Sequence, residues 1–481
     1  MDKFPNVVIL LNLPREYIPK AEFVLRTYCS ILRLHPQFFY EKHVEGAHIY
    51  YGEEDTTRDY PIKIHYHNDT GAFFEKRELY PLNRVNFRKY KNEFIPFLFS
   101  LQGSLFSFTQ KSVIFRKDIV ASGFYFLTCW HEYILGHHGE KRGRVDFRQS
   151  LQYRWDFIEV PVVDVYCQML LYAMSITLPQ FIRKIAWNDE YRFTVSLSHD
   201  IDYWNYWGSE QRTAALKYNL KTFFRRPFNA AYKIIGHTLH KNLVHNPHRQ
   251  ARWILHKEEK MGVRATWFLF GKNDFKDPRQ NYINDPKISL RLARILGKQE
   301  VGLHGSPESA YDGIILLREL ENLKSKGFEV NGYRSHYLSF DYQKTFKILE
   351  DAGIKHDSTL GYWENIGFRA GISFPFYPFN IEENRPFRVL EIPLIVMDTT
   401  LYSKKAMNIT PLTARLKLRR LMDLAEKYQS HLSLLWHNVS FDPIDFPFWG
   451  GVFWSALRFA RRKKAWVTSL NDIYDEWVNQ D

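Results

Sequence analysis

From Arg192 onward the chain alternates short apolar runs with longer segments whose apolar residues recur at i, i+3 and i+4. The short runs, at 193–197, 265–270, 301–304, 330–334, 389–392 and 432–436, read as buried strands. The helical patterns between them cover 248–261, 287–296, 314–324, 342–351 and 412–427. Strand then helix, repeated along the chain, predicts a parallel βα architecture, either a barrel or an open sheet. In both, reactive residues stand at the C-terminal ends of the strands.

The first part of the chain follows a different pattern. Strand-like runs at 7–11, 48–51, 62–66 and 112–115 mix with helical stretches around 20–34 and 162–175. This predicts an N-terminal α+β domain over 1–187, with no evident chemistry, followed by an α/β domain over 188–481. A basic insertion at 208–256 interrupts the second domain. No repeat at a period of about 20 to 50 residues is present, which argues against solenoids and propellers.

The polar residues that end the predicted strands are Ser198-His199-Asp200-Ile201-Asp202, His304-Gly305-Ser306, Arg334-Ser335-His336 and His437-Asn438. Carboxylates, imidazoles and a guanidinium converging on one end of a sheet make a catalytic or metal-binding composition rather than a packing one. Asp200 and Asp202 lie two apart in extended backbone, so both point into the same mouth. One can bind a metal while the other works as a base. His304 adds a nitrogen from another strand end, and a catalytic zinc takes about three such ligands plus an open position for water. Asp202, His304 and a third group meet that requirement. By contrast, His131-Glu132 with His137 and His138 is not a zincin motif, because the position that needs the second histidine holds Leu135.

These motifs resemble those of the polysaccharide deacetylase superfamily, the carbohydrate esterase family 4 or NodB-homology group, over about residues 190 to 475. Ser198-His199-Asp200-Ile201-Asp202 is similar to its strand-terminal aspartate motif. His304-Gly305-Ser306-Pro307-Glu308 matches the second motif at His304 and carries Glu308 where the family has a second histidine. Arg334-Ser335-His336-Tyr337 resembles the Arg-x-Pro-Tyr motif, with His336 in place of proline. Asp357-Ser358-Thr359 resembles the fourth, with Gly361 at the tryptophan position and Trp363 two residues later. Leu434-Leu435-Trp436-His437 resembles the last. The variant motifs look most like deacetylase-like proteins of bacterial surface-polysaccharide gene sets. Residues 116–122 resemble an uncharacterised N-terminal domain that accompanies some of them.

The resemblance implies a distorted (β/α) barrel of the NodB-homology type and a metal-dependent carbohydrate deacetylase that removes an N-acetyl group from a sugar or glycan intermediate. An O-deacetylase would use the same residues. It makes Asp200 the general base, His437 the general acid, and Asp202 and His304 ligands of a divalent metal, zinc first. Glu308 becomes the third ligand, with His336 as the alternative imidazole. Glu308 also reads as a first-turn acid behind Ser306 as N-cap and Pro307. Arg334 would hold Asp200, Asp357 would orient His437, and Tyr337 and Trp363 would touch substrate. The rival reading is a catalytically inactive protein of the deacetylase fold that binds glycan or acts as a scaffold.

Charge adds a class of partner. Lys and Arg total 66 against 53 Asp and Glu, a formal charge of +13 that attracts polyanions. Residues 211–256 hold nine Lys or Arg, five His and no acid. Lys217, Lys221, Arg225 and Arg226 interleave there with Tyr218, Leu220, Phe223 and Phe224, which suits an anionic membrane surface or an acidic glycan and suggests a lid or flank beside the site. With no helix-turn-helix, zinc-finger or RNP-like pattern, no nucleic acid is expected. Cys29, Cys129 and Cys167 form no Cys-x-x-Cys pair and suggest no disulfide framework, which fits a reducing compartment. The apolar run at 7–11 is too short for a signal peptide. The run at 165–176 falls short of the ~20 residues that span a bilayer. A cytoplasmic protein, peripheral at the inner membrane face, is the expectation.

Overall fold

A computed structural model describes residues 4–479 except 41–42, 54–57, 92, 100–102, 137–146, 183–186, 189, 205–208, 223–226, 240–246 and 298. The N-terminal half contains strands β1 (Asn6–Asn12), β2 (His35–Phe39), β3 (Ile49–Gly52), β4 (Ile62–His65), the hairpin β5 (Asn86–Tyr90) and β6 (Glu93–Phe97), β7 (Phe106–Phe108) and β8 (Val113–Phe115). Six of them form one sheet in the order β2-β1-β3-β4-β8-β7. Every pairing in it is parallel except that of β7 with β8. The half is therefore α/β rather than the expected α+β. A parallel pair needs a crossover, and the helix Ile18–Leu32 supplies it between β1 and β2.

The second half carries β9 (Phe193–Ile201), β10 (Thr266–Phe270), β11 (Glu300–Gly305), β12 (Val330–Ser335), β13 (His356–Asp357), the hairpin β14 (Phe379–Asn380) and β15 (Arg385–Pro386), β16 (Leu390–Glu391), β17 (Val396–Met397), β18 (His431–Leu435) and β19 (Ala465–Thr468). A nine-stranded sheet runs β16-β13-β12-β11-β10-β9-β18-β17, with β19 also on β9. All of its pairings are parallel. β9, β10 and β18 are buried at every position, as strands covered on both faces must be. The crossover helices start where capping side chains stand: Asp285, Asp312, Asp341 and Thr410 each accept backbone N–H bonds of the first turn.

The sheet is strongly curled. β9 and β12 are separated by β10 and β11, so in a flat sheet they would stand roughly 14 Å apart at ~4.8 Å per step. Yet Arg334 at the end of β12 donates to Asp200 at the end of β9 over 3.0 Å. Curling turns a row of strand ends into a ring around one mouth.

The two halves share one continuous core, in which Phe23 and Phe124 meet Phe379 at ring distances of 5.1 and 5.2 Å. Polar seams reinforce it. Arg369 pairs with Glu132 at 2.6 Å in full burial, and Asp164 accepts from the backbone N–H of Ser373 at 3.1 Å and from its hydroxyl.

The basic segment is helical at Ser209–Thr222, Pro227–Leu239 and Pro247–Lys260. The last of these packs on the curled sheet, where its buried Glu258 bonds His199 of β9 at 2.8 Å. Helix Pro227–Leu239 leans on the loop after β18 through Tyr232 to the Pro443 carbonyl and Lys233 to Asp445. Among the described residues, none of 208–256 lines the cleft at the strand ends. Phe223, Phe224, Arg225 and Arg226 lie outside the described residues. No helix among the described residues is long and apolar enough to cross a membrane.

Candidate active site and metal centre

The strand-end residues do converge. Arg334 is fully buried, a position a guanidinium tolerates only when its donors are satisfied. Its Nη1 donates to Asp200 Oδ1 at 3.0 Å and to Ser198 Oγ at 2.7 Å, while Nε and Nη2 donate to the carbonyl and hydroxyl of Ser358, both at 2.9 Å. The Phe268 ring lies 4.4 Å from the guanidinium carbon. One oxygen of Asp200 is thereby pinned and the other left toward the cleft, 3.8 Å from His304 Nε2.

Beside this pair, Asp202, His304 and His336 bring one donor atom each within 4.8 Å of one another. His304 Nδ1 faces the Arg334 carbonyl at 3.1 Å, so that nitrogen carries the proton and Nε2 presents its lone pair. That lone pair meets Asp202 Oδ1 at 3.1 Å. Two acceptors at this distance repel unless a proton or a cation lies between them. His336 Nε2 stands 3.8 Å from the same oxygen, and burial pushes its imidazole down to about 3, the neutral form a metal takes. Burial resists ionisation of Asp202 too, but His336, His304 and His437 around it outweigh burial and hold its carboxyl below the usual range. One carboxylate and two imidazoles are a donor set suited to zinc or a similar divalent ion. Phe270 packs on both rings, at 4.8 Å from His304 and 4.9 Å from His336.

The chain turns sharply just past His336. Tyr337 and Leu338, with φ of +63° and +54°, occupy the left-handed region in succession. For residues with a side chain, that costs of order 1–3 kcal/mol each. Glu308, expected as third ligand, is not part of the cluster. Residues 307–311 form a turn rather than a first helical turn, the helix begins only at Gly313, and Glu308 swings out to pair with Lys272 at 3.1 Å. Its side chain is 54% exposed.

On the other side stands His437, with Nε2 3.7 Å from Asp202 Oδ2. Its Nδ1 meets Asp398 Oδ1 at 2.7 Å, and its backbone N–H donates to Asp398 Oδ2 at 2.8 Å. Burial disfavours the charged ring, but Asp398 overrides it and, helped by Asp202 and Asp200, pushes His437 up to about 10. Asp357, expected in this role, is elsewhere. It accepts from Thr359 at 2.6 Å and lies beside Glu391 on the neighbouring strand, where burial pushes both carboxyls up. Asp398 follows β17, a two-residue strand at the opposite edge of the sheet from β16 that is too short to show a periodic pattern, so the sequence reading did not reach it.

Tyr337 and Trp363 line a cavity of about 900 Å³ together with Asp200, Asp202, His304 and His437. That volume suits a small-molecule or sugar ligand. His199 points the other way from its neighbours and braces the curled sheet, with Nδ1 at 2.7 Å from the Trp436 carbonyl and Nε2 on Glu258. In the N-terminal half, His131 is buried, pushed down to about 4 by burial, and gathers no metal-ligating group other than Glu132 among the described residues. His137 and His138 lie outside the described residues.

Residues 9–179 match the model of a family of unknown function, DUF7033. No curated protein matches the chain. Among solved structures, it is similar to a Mycobacterium smegmatis protein whose crystal structure bears the name polysaccharide deacetylase. The identity is 18% and the TM-score 0.41, over 62% of this chain and 94% of the other. A likeness at that level carries no chemistry across.

Proposed function

We propose that this protein is a metal-dependent hydrolase that removes an N-acetyl group from a sugar or glycan intermediate, in bacterial surface-polysaccharide metabolism as the resemblance of its motifs implies. The observation that carries the reading is the flanking of Asp202, His304 and His336 by an Arg334-held carboxylate on one side and an Asp398-held imidazole on the other. A divalent ion held by those three residues, zinc by donor set, would polarise the acetyl carbonyl and acidify a water molecule. Asp200, oriented by Arg334, accepts a proton from the attacking water. His437, charged because Asp398 faces it, donates a proton to the departing nitrogen. An amine is a poor leaving group without that proton, which is the role the charged imidazole fills.

Elemental analysis after dialysis against dilute chelator, paired with acetate release from an N-acetylated oligosaccharide, tests the proposal. Wild type should retain one divalent ion, and Asp202→Ala and His336→Ala should lose both the ion and turnover. Glu308→Gln should keep both. A wild-type protein that takes up no metal overturns the mechanism.

A further inference from the structure

The cleft is not built by the barrel alone. Phe147, Arg148 and Tyr153, from the N-terminal half, line the same cavity as the metal cluster and His437. Tyr153 is 48% exposed, an unusual position for an aromatic ring in a chain that buries most of its others. Its support is rigid. Phe147 packs edge-on against Tyr153 at 4.9 Å and against Tyr362 of the barrel half at 5.0 Å. Ser150 caps the short helix Leu151–Arg154 by accepting from the Tyr153 N–H. Gln152 donates to the Arg369 carbonyl at 2.9 Å, and Arg369 in turn grips both Glu132 and the Gly361 carbonyl. The same segment continues to Trp363, whose carbonyl accepts from Thr400 at 2.9 Å. Tyr153 from one half and Trp363 from the other, two of the rings that line the cleft, are thus held by one set of polar contacts.

We infer that the N-terminal half forms part of the substrate site, with Tyr153 as a specificity-determining platform on which a pyranose ring of the substrate stacks. The C–H face of such a ring is apolar while its hydroxyls remain in water, which suits a half-exposed aromatic wall. Phe147 is a positioning residue that sets the angle of Tyr153. The inference takes the sugar from the deacetylase reading, but the stacking is measurable without catalysis.

The experiment uses the full chain and the tetramer of β-1,4-linked N-acetylglucosamine, with binding by titration calorimetry and turnover by acetate release. Tyr153→Ala should weaken binding about tenfold, with the loss in turnover falling on KM rather than kcat. Tyr153→Phe should restore binding, because the ring rather than the hydroxyl does the work, and Phe147→Ala should fall between the two. Metal content and the unfolding temperature of Tyr153→Ala should match wild type, since the side chain is half in solvent. Wild type that binds the tetramer without releasing acetate would defeat the hydrolase reading and leave this inference standing if Tyr153→Ala still weakens binding. Equal binding by wild type and Tyr153→Ala, failure of Tyr153→Phe to restore it, or no binding of the tetramer by wild type overturns it.

Discussion

Asp398 and His437 show how one residue's charge state is set by another's position. The imidazole is buried, which alone would favour its neutral form, yet both carboxylate oxygens of Asp398 are fixed on it, one at Nδ1 and one at the backbone N–H. The carboxylate therefore decides the ring's charge, pushing it up to about 10. Asp398→Asn keeps the shape and removes the charge. Acetate release should fall about a hundredfold, the range of general acid catalysis, while metal content stays at the wild-type level. Loss of the metal in that variant would mean that Asp398 supports the cluster rather than the proton donor. A residue-scale reading of the sequence reached His437 but not its partner, because the pairing of Asp398 with a histidine 39 positions away is written in no local pattern.

At the scale of elements, the turn after β12 matters most. Two successive left-handed residues, neither of them glycine, turn the chain sharply just past His336, which faces Asp202. The backbone conformation rather than the Tyr337 side chain should carry this. Asparagine visits the left-handed region readily, whereas a β-branched residue there is a true outlier. Tyr337→Asn should therefore retain the metal after dialysis and Tyr337→Val should lose it; equal retention would show that the turn does not place His336. The strands and helices themselves were largely legible. The helix expected at 342–351 is Tyr342–Asp351, and the strand expected at 330–334 is Val330–Ser335. Such elements announce themselves because burial imposes a period of 2 or about 3.6 on apolar residues. The sharp turn at 336–338 and the short pieces β13 and β17, of two residues each, have no room for a period.

At the scale of the whole molecule, the two sheets are joined through buried polar groups as well as apolar ones. Asp164 sits in that seam, and burial pushes its carboxyl up to about 7. The sign of its effect on stability follows. Below about pH 4, the ordinary carboxyl value, both folded and unfolded states hold the proton and the full stability is present. As pH rises toward about 7 the unfolded state ionises while the buried group stays neutral. Stability is therefore lost across that window, by at most about 1.4 kcal/mol per pH unit from this one group. Asp164→Asn should show a smaller decline in unfolding temperature between pH 5 and pH 7 than wild type. A decline as steep as wild type would mean that Asp164 is ionised in the fold. Because Asp164 and Glu132 tie one half to the other, the described contacts also account for the unbroken core.

By itself the sequence determined the periodic elements, the parallel βα order of the second half and the candidate chemistry at the strand ends, since each is a local pattern of apolar spacing or of polar residues after an apolar run. Asp200, Asp202, His304, Arg334 and His437, which the structure brings together, were all singled out in this way. Tertiary structure decided the rest. It placed His336 rather than Glu308 beside Asp202 and His304, gave His437 the carboxylate of Asp398 rather than Asp357, and brought Tyr153, forty residues before β9, into the cleft at the strand ends. Each of these depends on how far the sheet curls and which way a chain turns after its strand ends. Those are set by packing between residues far apart in sequence, which no window along the chain contains.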